Sequence, residues 1–189
     1  MAFNINEFRS VIHQKGVAKN NLFEALVVPP SGIQGGDVLK YECESASIPD
    51  LGVNVENVKP HGFGHGVNRP VSAQFQDLQC NFIVDGEFSA KEFFYAWMQE
   101  VVNYDNSNYG VSTNGLLPYE FGFMNDYAGS VNIKVWPDNK EDKYYEHKFG
   151  NAYPVNIGSV ELSWANEAEI MILPVTFAYN IYSNSTIHS

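Results

Sequence analysis

Positive charge is scarce in this chain. Eleven lysines and arginines stand against 22 acidic residues, a net charge of −11. Such a surface repels phosphate, which argues against a protein that grips nucleic acid or lies on an anionic membrane. Cysteine is scarcer still: Cys43 and Cys80 are the two, with no CxxC spacing. Neither a disulfide framework nor a thiolate metal cluster is indicated. Each sits in an alternating apolar segment and reads as a small buried hydrophobe. No run approaches the ~18 apolar residues of a membrane helix. The opening MAFNINEFRS has no basic stretch followed by an apolar one, so no signal peptide is expected and a reducing cytoplasm fits. Catalytic signatures are missing too: there is no GxSxG and no evident Cys–His pair. The carboxylates Glu141-Asp142, Glu167, Glu169, Asp85 and Glu87 lie near turns, where such groups are ordinarily solvated surface. No enzyme activity and no cofactor are expected.

What is present is β-patterning. At 189 residues the chain reads as one domain, 1–189, long enough to bury a core. Phe3, Ile5, Phe8, Val11 and Ile12 have helical spacing, so residues 1–20 read as an N-terminal arm or short helix. Strands are expected at 21–28, 38–49, 52–59, 71–85, 117–124, 130–136, 143–149, 156–165 and 169–182. Residues 103–115 read as a polar loop and 183–189 as a C-terminal extension. In 38–49, Leu39, Tyr41, Cys43 and Ser45 share one face, opposite Lys40, Glu42 and Glu44. In 71–85, Leu78, Cys80, Phe82 and Val84 face a core, while Asp77, Gln79 and Asn81 face away. One helix stands out. Ser89 and Glu92 form a capping box, and Phe93, Phe94, Trp97, Met98 and Val101 make an apolar stripe. The expected fold class is mainly β: a barrel or sandwich of antiparallel strands with one flanking helix.

One stretch asks for a function: Lys59, Pro60, His61, Gly62, Phe63, Gly64, His65, Gly66, Val67, Asn68, Arg69, Pro70. Two histidines four apart would share a helix face, but three intervening glycines oppose a helix. Local third ligands are poor, so no metal site is expected. The glycine alternation also lacks the spacing and strand-to-helix context of a dinucleotide loop. It reads as a long flexible loop between strands, with Pro60 and Pro70 blocking pairing at its ends. Loops of this length commonly bind something.

The C-terminal segment carries a resemblance. Pro154, Ile157, Val160, Leu162, Trp164, Asn166, Glu167, Ile170, Val175, Thr176, Phe177 and Tyr179 are similar to the closing strands of the tail tube proteins of T-even-like contractile phages. NNLFEALVV resembles that family's first strand. YECESASIPDL, with Cys43 and Ile48-Pro49, resembles its second, and EFFYAWMQEV its aromatic helix. The likeness runs from Asn20 to Tyr182. The stretches 103–115 and 137–152 and the tail after Tyr182 are longer than the pattern. Baseplate tube-initiator proteins and the tube proteins of contractile injection systems and type VI secretion share the fold.

The resemblance implies a structural virion protein with no enzyme activity. It implies hexameric rings stacked into a hollow tube, assembled in the host cytoplasm. A sheath would lie outside, a tape measure protein inside, and a tube initiator at the baseplate. The genome would pass through without specific binding. Six copies carry −66 per ring, six times −11, and DNA should not stick to such a wall. Glu42, Glu44, Asp77, Gln79 and Asn81 are the expected lumen-facing residues. Residues 59–70 are the expected inter-ring loop, ordering on stacking at ~1–2 kcal/mol per residue. The nearer alternatives are a baseplate tube-initiator protein or the tube protein of a contractile injection system; from a different class, and behind these, stands a monomeric β-sandwich that binds carbohydrate.

Overall fold

The computed structural model describes residues 5, 9–10, 18–36, 39–59, 62, 64–104, 115–138, 143–160, 162–164 and 170–188. Of the helix expected near the N-terminus, only Ile5, Arg9 and Ser10 fall among them, in helical conformation.

Among the described residues the named elements follow one another as β1 (Ala18–Val28), α1 (Leu39–Glu42), β2 (Cys43–Ser47), β3 (Leu51–Val58), β4 (Val67–Phe75), β5 (Leu78–Ile83), α2 (Ser89–Val101), α3 (Met124–Tyr127), β6 (Gly129–Pro137), β7 (Lys143–Ile157), β8 (Ile172–Ala178) and β9 (Ile181–His188). All pairings are antiparallel. The main sheet runs β1-β6-β7-β8-β5-β2, with β9 also on β7. The architecture is sandwich-like rather than a closed barrel: β1 and β2 end the path without pairing to each other.

β7 organises it. Its first half, Lys143–Gly150, pairs with β9, and its second half, from Tyr153, pairs with β8. Between them Asn151 takes a left-handed φ of 50°, a conformation asparagine tolerates better than most residues. One strand thus serves two sheet portions by bending at a corner. The sequence pattern had divided this strand into 143–149 and 156–165; the polar corner GNAY masked its continuity. Likewise 169–182 is not one strand. It turns at Tyr179-Asn180, and 181–188 folds back along β7.

The core follows the expected alternation. Leu78, Cys80 and Phe82 of β5 and Leu173, Val175 and Phe177 of β8 are buried, and they face one another in register. Helix α2 lays Ala90, Phe93, Phe94, Trp97 and Val101 onto them. Phe94 stands 4.8 Å from Phe82 and 5.9 Å from Phe177, ring centre to ring centre. Trp97 is fully buried, and its indole N–H donates to the Tyr127 carbonyl at 2.8 Å.

The helix start differs from the capping box. Phe88 occupies the cap position with φ 61°, and no side chain caps there. Asp85 does the work instead, accepting from the Ser89 N–H at 2.7 Å and the Ser89 hydroxyl at 2.8 Å. A carboxylate at the positive end of the helix satisfies both free amide and dipole.

Candidate assembly surfaces

β3 and β4 form a two-stranded sheet of their own. They continue the β2/β5 pair, since Ser47 faces Gln79 and, after short breaks, Leu51 faces Phe75. Eight residues at ~3.3 Å each make an arm about 26 Å long. Its two faces differ. Leu51, Val53 and Val55 lie opposite Phe75, Ala73 and Pro70, and the other face sets Gly52, Asn54 and Glu56 against Gln74, Ser72 and Arg69. Leu51, Val53, Val55, Val71 and Phe75 are 54–63% exposed. A strand pair with an apolar face and no partner is marginal alone and hazardous in solution. On the polar face Asn54 donates to Ser72 at 3.1 Å; nearer the tip, Asn57 donates to Asn68 at 2.8 Å.

The glycine-rich stretch is the tip of this arm. Val67, Asn68, Arg69 and Pro70 belong to β4 rather than to the loop. Pro70 does not block pairing: it sits opposite Val55 at a register shift, where a missing N–H is tolerated. Gly62 and Gly64 have φ of 72° and 87°, and Gly62 N–H bonds the Lys59 carbonyl at 3.0 Å. A Cβ on Gly66 would collide with the Asn57 amide. Lys59 and His65 are exposed. Pro60, His61 and Phe63 lie outside the described residues. No cluster of three metal-ligating side chains occurs among the described residues.

A second surface is polar. Ser45 lies opposite Asn81, Ser47 opposite Gln79, and Thr176 opposite both Gln79 and Asn156. Asn81 donates to the Ser45 hydroxyl at 2.9 Å. The reverse side of the same rungs is the core. Five carboxylate and amide residues were expected to share one face; the structure brings together only Gln79 and Asn81. Asp77 is exposed in the break before β5, and Glu44 is exposed at the bulge between Cys43 and Ser45. Glu42 is not on a strand. Residues 39–42 wind into α1, so the alternation through Leu39 and Tyr41 does not hold, and Glu42 turns toward Asp85 and α2. Burial, and then the Asp85 charge, push its carboxyl above the ordinary range.

Cys43 and Cys80 are free thiols two rungs apart on β2 and β5. Their mutual hydrogen bond lowers the Cys43 thiol, while the same bond and burial raise that of Cys80.

Other exposed apolar groups escaped the pattern. Leu162 and Trp164 were read as strand residues, yet 158–160 and 162–164 lie outside any strand and Trp164 is fully exposed. Phe121 and Phe123 are also exposed, held by a single bridge of Phe121 to Val102 rather than a strand. Gly158 and Gly122, which interrupt these runs, were the available signals.

Among solved structures the chain resembles a subunit of the sheath–tube complex of an extracellular contractile injection system, PVC, in the extended state. The TM-score is 0.60 with 13% identity, over 94% of this chain and 97% of that one. It also resembles a chain of the anti-feeding prophage baseplate, six-fold symmetrised, at TM-score 0.56 and 10% identity, over 89% and 95%. The tube-terminating cap of the anti-feeding prophage matches at 0.59 and 13%, over 90% and 91%. These likenesses speak to fold. A comparison with curated protein sequences found no match. The family model for phage tail tube proteins matches residues 2–185, nearly the whole chain, and with it the sandwich, the covering helix and the free-standing arm have a common explanation: the chain belongs to the phage tail tube protein family, whose members are structural rather than enzymatic.

Proposed function

We propose that this chain is the repeating subunit of the inner tube of a contractile phage tail. Six copies close into a ring, and rings stack into a hollow conduit for the genome. The observation that carries this reading is the β3–β4 arm, whose apolar face is exposed and is not covered by any described residue. A ring built by a repeated heterologous contact supplies that cover and closes. The six-fold baseplate relative supports the same symmetry.

In this reading the Ser45, Ser47, Gln79 and Asn81 face lines the lumen, with Glu44 and Asp77 at its margins. Neutral amides and hydroxyls beside acids offer DNA nothing to hold. Glu42, turned toward α2, is not part of that wall. The arm reaches between rings, and its tip, residues 59–66, orders on the contact. The sheath packs outside, the tape measure protein occupies the lumen before the genome, and a tube initiator at the baseplate starts the stack. The chain assembles in the host cytoplasm and resides in the virion tail.

A second reading, the tube of a contractile injection system, is favoured by the PVC and anti-feeding prophage likenesses. Size-exclusion chromatography with negative-stain microscopy of the purified chain tests the assembly. Rings or tubes support it. A clean monomer at every concentration, with affinity for a glycan, points to the monomeric sandwich and overturns it.

A further inference from the structure

Beside α2 lies an open groove of about 620 Å³. Ile33 and Ala96 give it accessible apolar surface above the buried Leu39 and Phe93, and Glu42, Glu92 and Glu100 line it with carboxylates. Among the described residues no lysine or arginine lines it. The nearby cations are engaged elsewhere: Lys40 pairs with Glu24 at 3.0 Å, and Lys91 reaches over the Tyr95 ring at 5.8 Å. Asp85, close to Glu42, is occupied by Ser89. Glu42 Oε2 is buried and makes no hydrogen bond among the described residues. The groove is therefore an acidic, partly apolar site with an unmet acceptor.

The arm has the complementary character. Residues 51–75 hold Glu56 against Lys59 and Arg69, a net of +1, so the rest of the chain carries −12 of the total −11. Neither Lys59 nor Arg69 makes an ion pair among the described residues, although Arg69 stands opposite Glu56. At the tip the pattern of faces brings Val58 and Val67, paired in register, onto the same side as Arg69. Val58, Val67 and Arg69 thus share one side at the end of the arm, and Lys59 follows next in the chain.

We propose that the groove beside α2 receives the arm tip of a second copy of this chain. Val58 and Val67 meet Ile33 and Ala96, and Lys59 and Arg69 meet Glu42, Glu92 and Glu100. The inference rests on the tube reading and names the face that its arm engages. The open seam between β1 and β2 is the competing groove, but it holds a single carboxylate, Glu44, and so matches two cations less well. Opposite charges brought together this way set partner choice and register between subunits.

Charge exchange tests it. Glu92→Lys with Glu100→Lys should raise the concentration needed for assembly at least about tenfold, as should Lys59→Glu with Arg69→Glu. The milder Glu92→Gln with Glu100→Gln should shift it less. Circular dichroism and melting of the unassembled chain should match the parent in every variant. All four reversals together should restore assembly to within about threefold of the parent, because each arm again meets a groove of opposite charge. Reversal pairs that assemble like the parent, or a combined variant no better than either pair, overturn the groove while leaving the tube reading standing. A parent chain that never assembles removes both.

Discussion

Replacing Trp97 by alanine probes the keystone of the covering helix. Trp97 is completely buried among Phe93, at 5.9 Å, and Phe177, at 6.0 Å. Truncating such a side chain in a packed core costs about 3–5 kcal/mol, since the cavity only partly collapses. Collapse is hindered here, because Gly129 already lies against the indole and its neighbouring strand. The change also strands the Tyr127 carbonyl that accepts the indole N–H, a loss of ~1 kcal/mol within that total. For a chain of this size one kcal/mol moves the midpoint by about 3 °C, so a fall of roughly 9–15 °C is expected. Differential scanning calorimetry on unassembled protein reads it. Trp164→Ala is the control: the residue is fully exposed, and its loss should leave the monomer midpoint unchanged. A Trp97→Ala midpoint within about 3 °C of the parent would refute the placement of α2 on the core.

Asp85→Ala should cost about 1 kcal/mol by removing both bonds to Ser89, whereas Glu92→Ala, the partner of the capping box read from sequence, should cost clearly less; chemical denaturation of the two variants decides between them. His147 has a lowered pKa because burial disfavours its charged form, so the unfolded chain takes the proton first. Its contribution to stability is complete above the ordinary histidine value of 6.5 and is lost as pH falls through that value toward the folded one; a His147→Gln variant should show a shallower fall in melting temperature between pH 7.5 and 5.5, and an identical slope would remove His147 from the account. Deleting Gly62 to Gly66 should leave a folded monomer, because shortening a loop costs little, yet weaken stacking, and monomer circular dichroism beside sedimentation of assemblies reads the two separately. Gln79→Lys with Asn81→Lys should leave tubes intact and slow genome ejection through attraction to phosphate; normal ejection from particles containing the variant would place that face outside the lumen.

Much of the fold was legible because burial imposes period. Leu78, Cys80 and Phe82 alternate with polar residues, and the α2 stripe repeats at helical spacing, so both fall where the pattern put them. The misreadings share a cause. Alternation says nothing about whether a strand continues: GNAY fell between two expected strands, while Asn151 only bends β7. In 39–42, alternating residues wind into a helical turn, and Glu42 parted from Glu44 as a result. The arm was half visible. Its strands were expected near 52–59 and from 71, but its independence from the main sheet could not be read, because apolar alternation looks the same whether it faces a core or nothing at all. The capping box matched a motif, but Asp85 holds both the Ser89 N–H and the Ser89 hydroxyl that the motif would have used.

The central claim, that this chain repeats along a tail tube, is tested most directly by its copy number. Quantitative mass spectrometry of intact particles, with the tail length measured on the same preparation, gives that number. The account predicts many copies per particle, in multiples of six, rising in proportion to tail length. A fixed count of six whatever the length would make the chain a tube initiator, and its absence from purified particles would contradict the claim altogether.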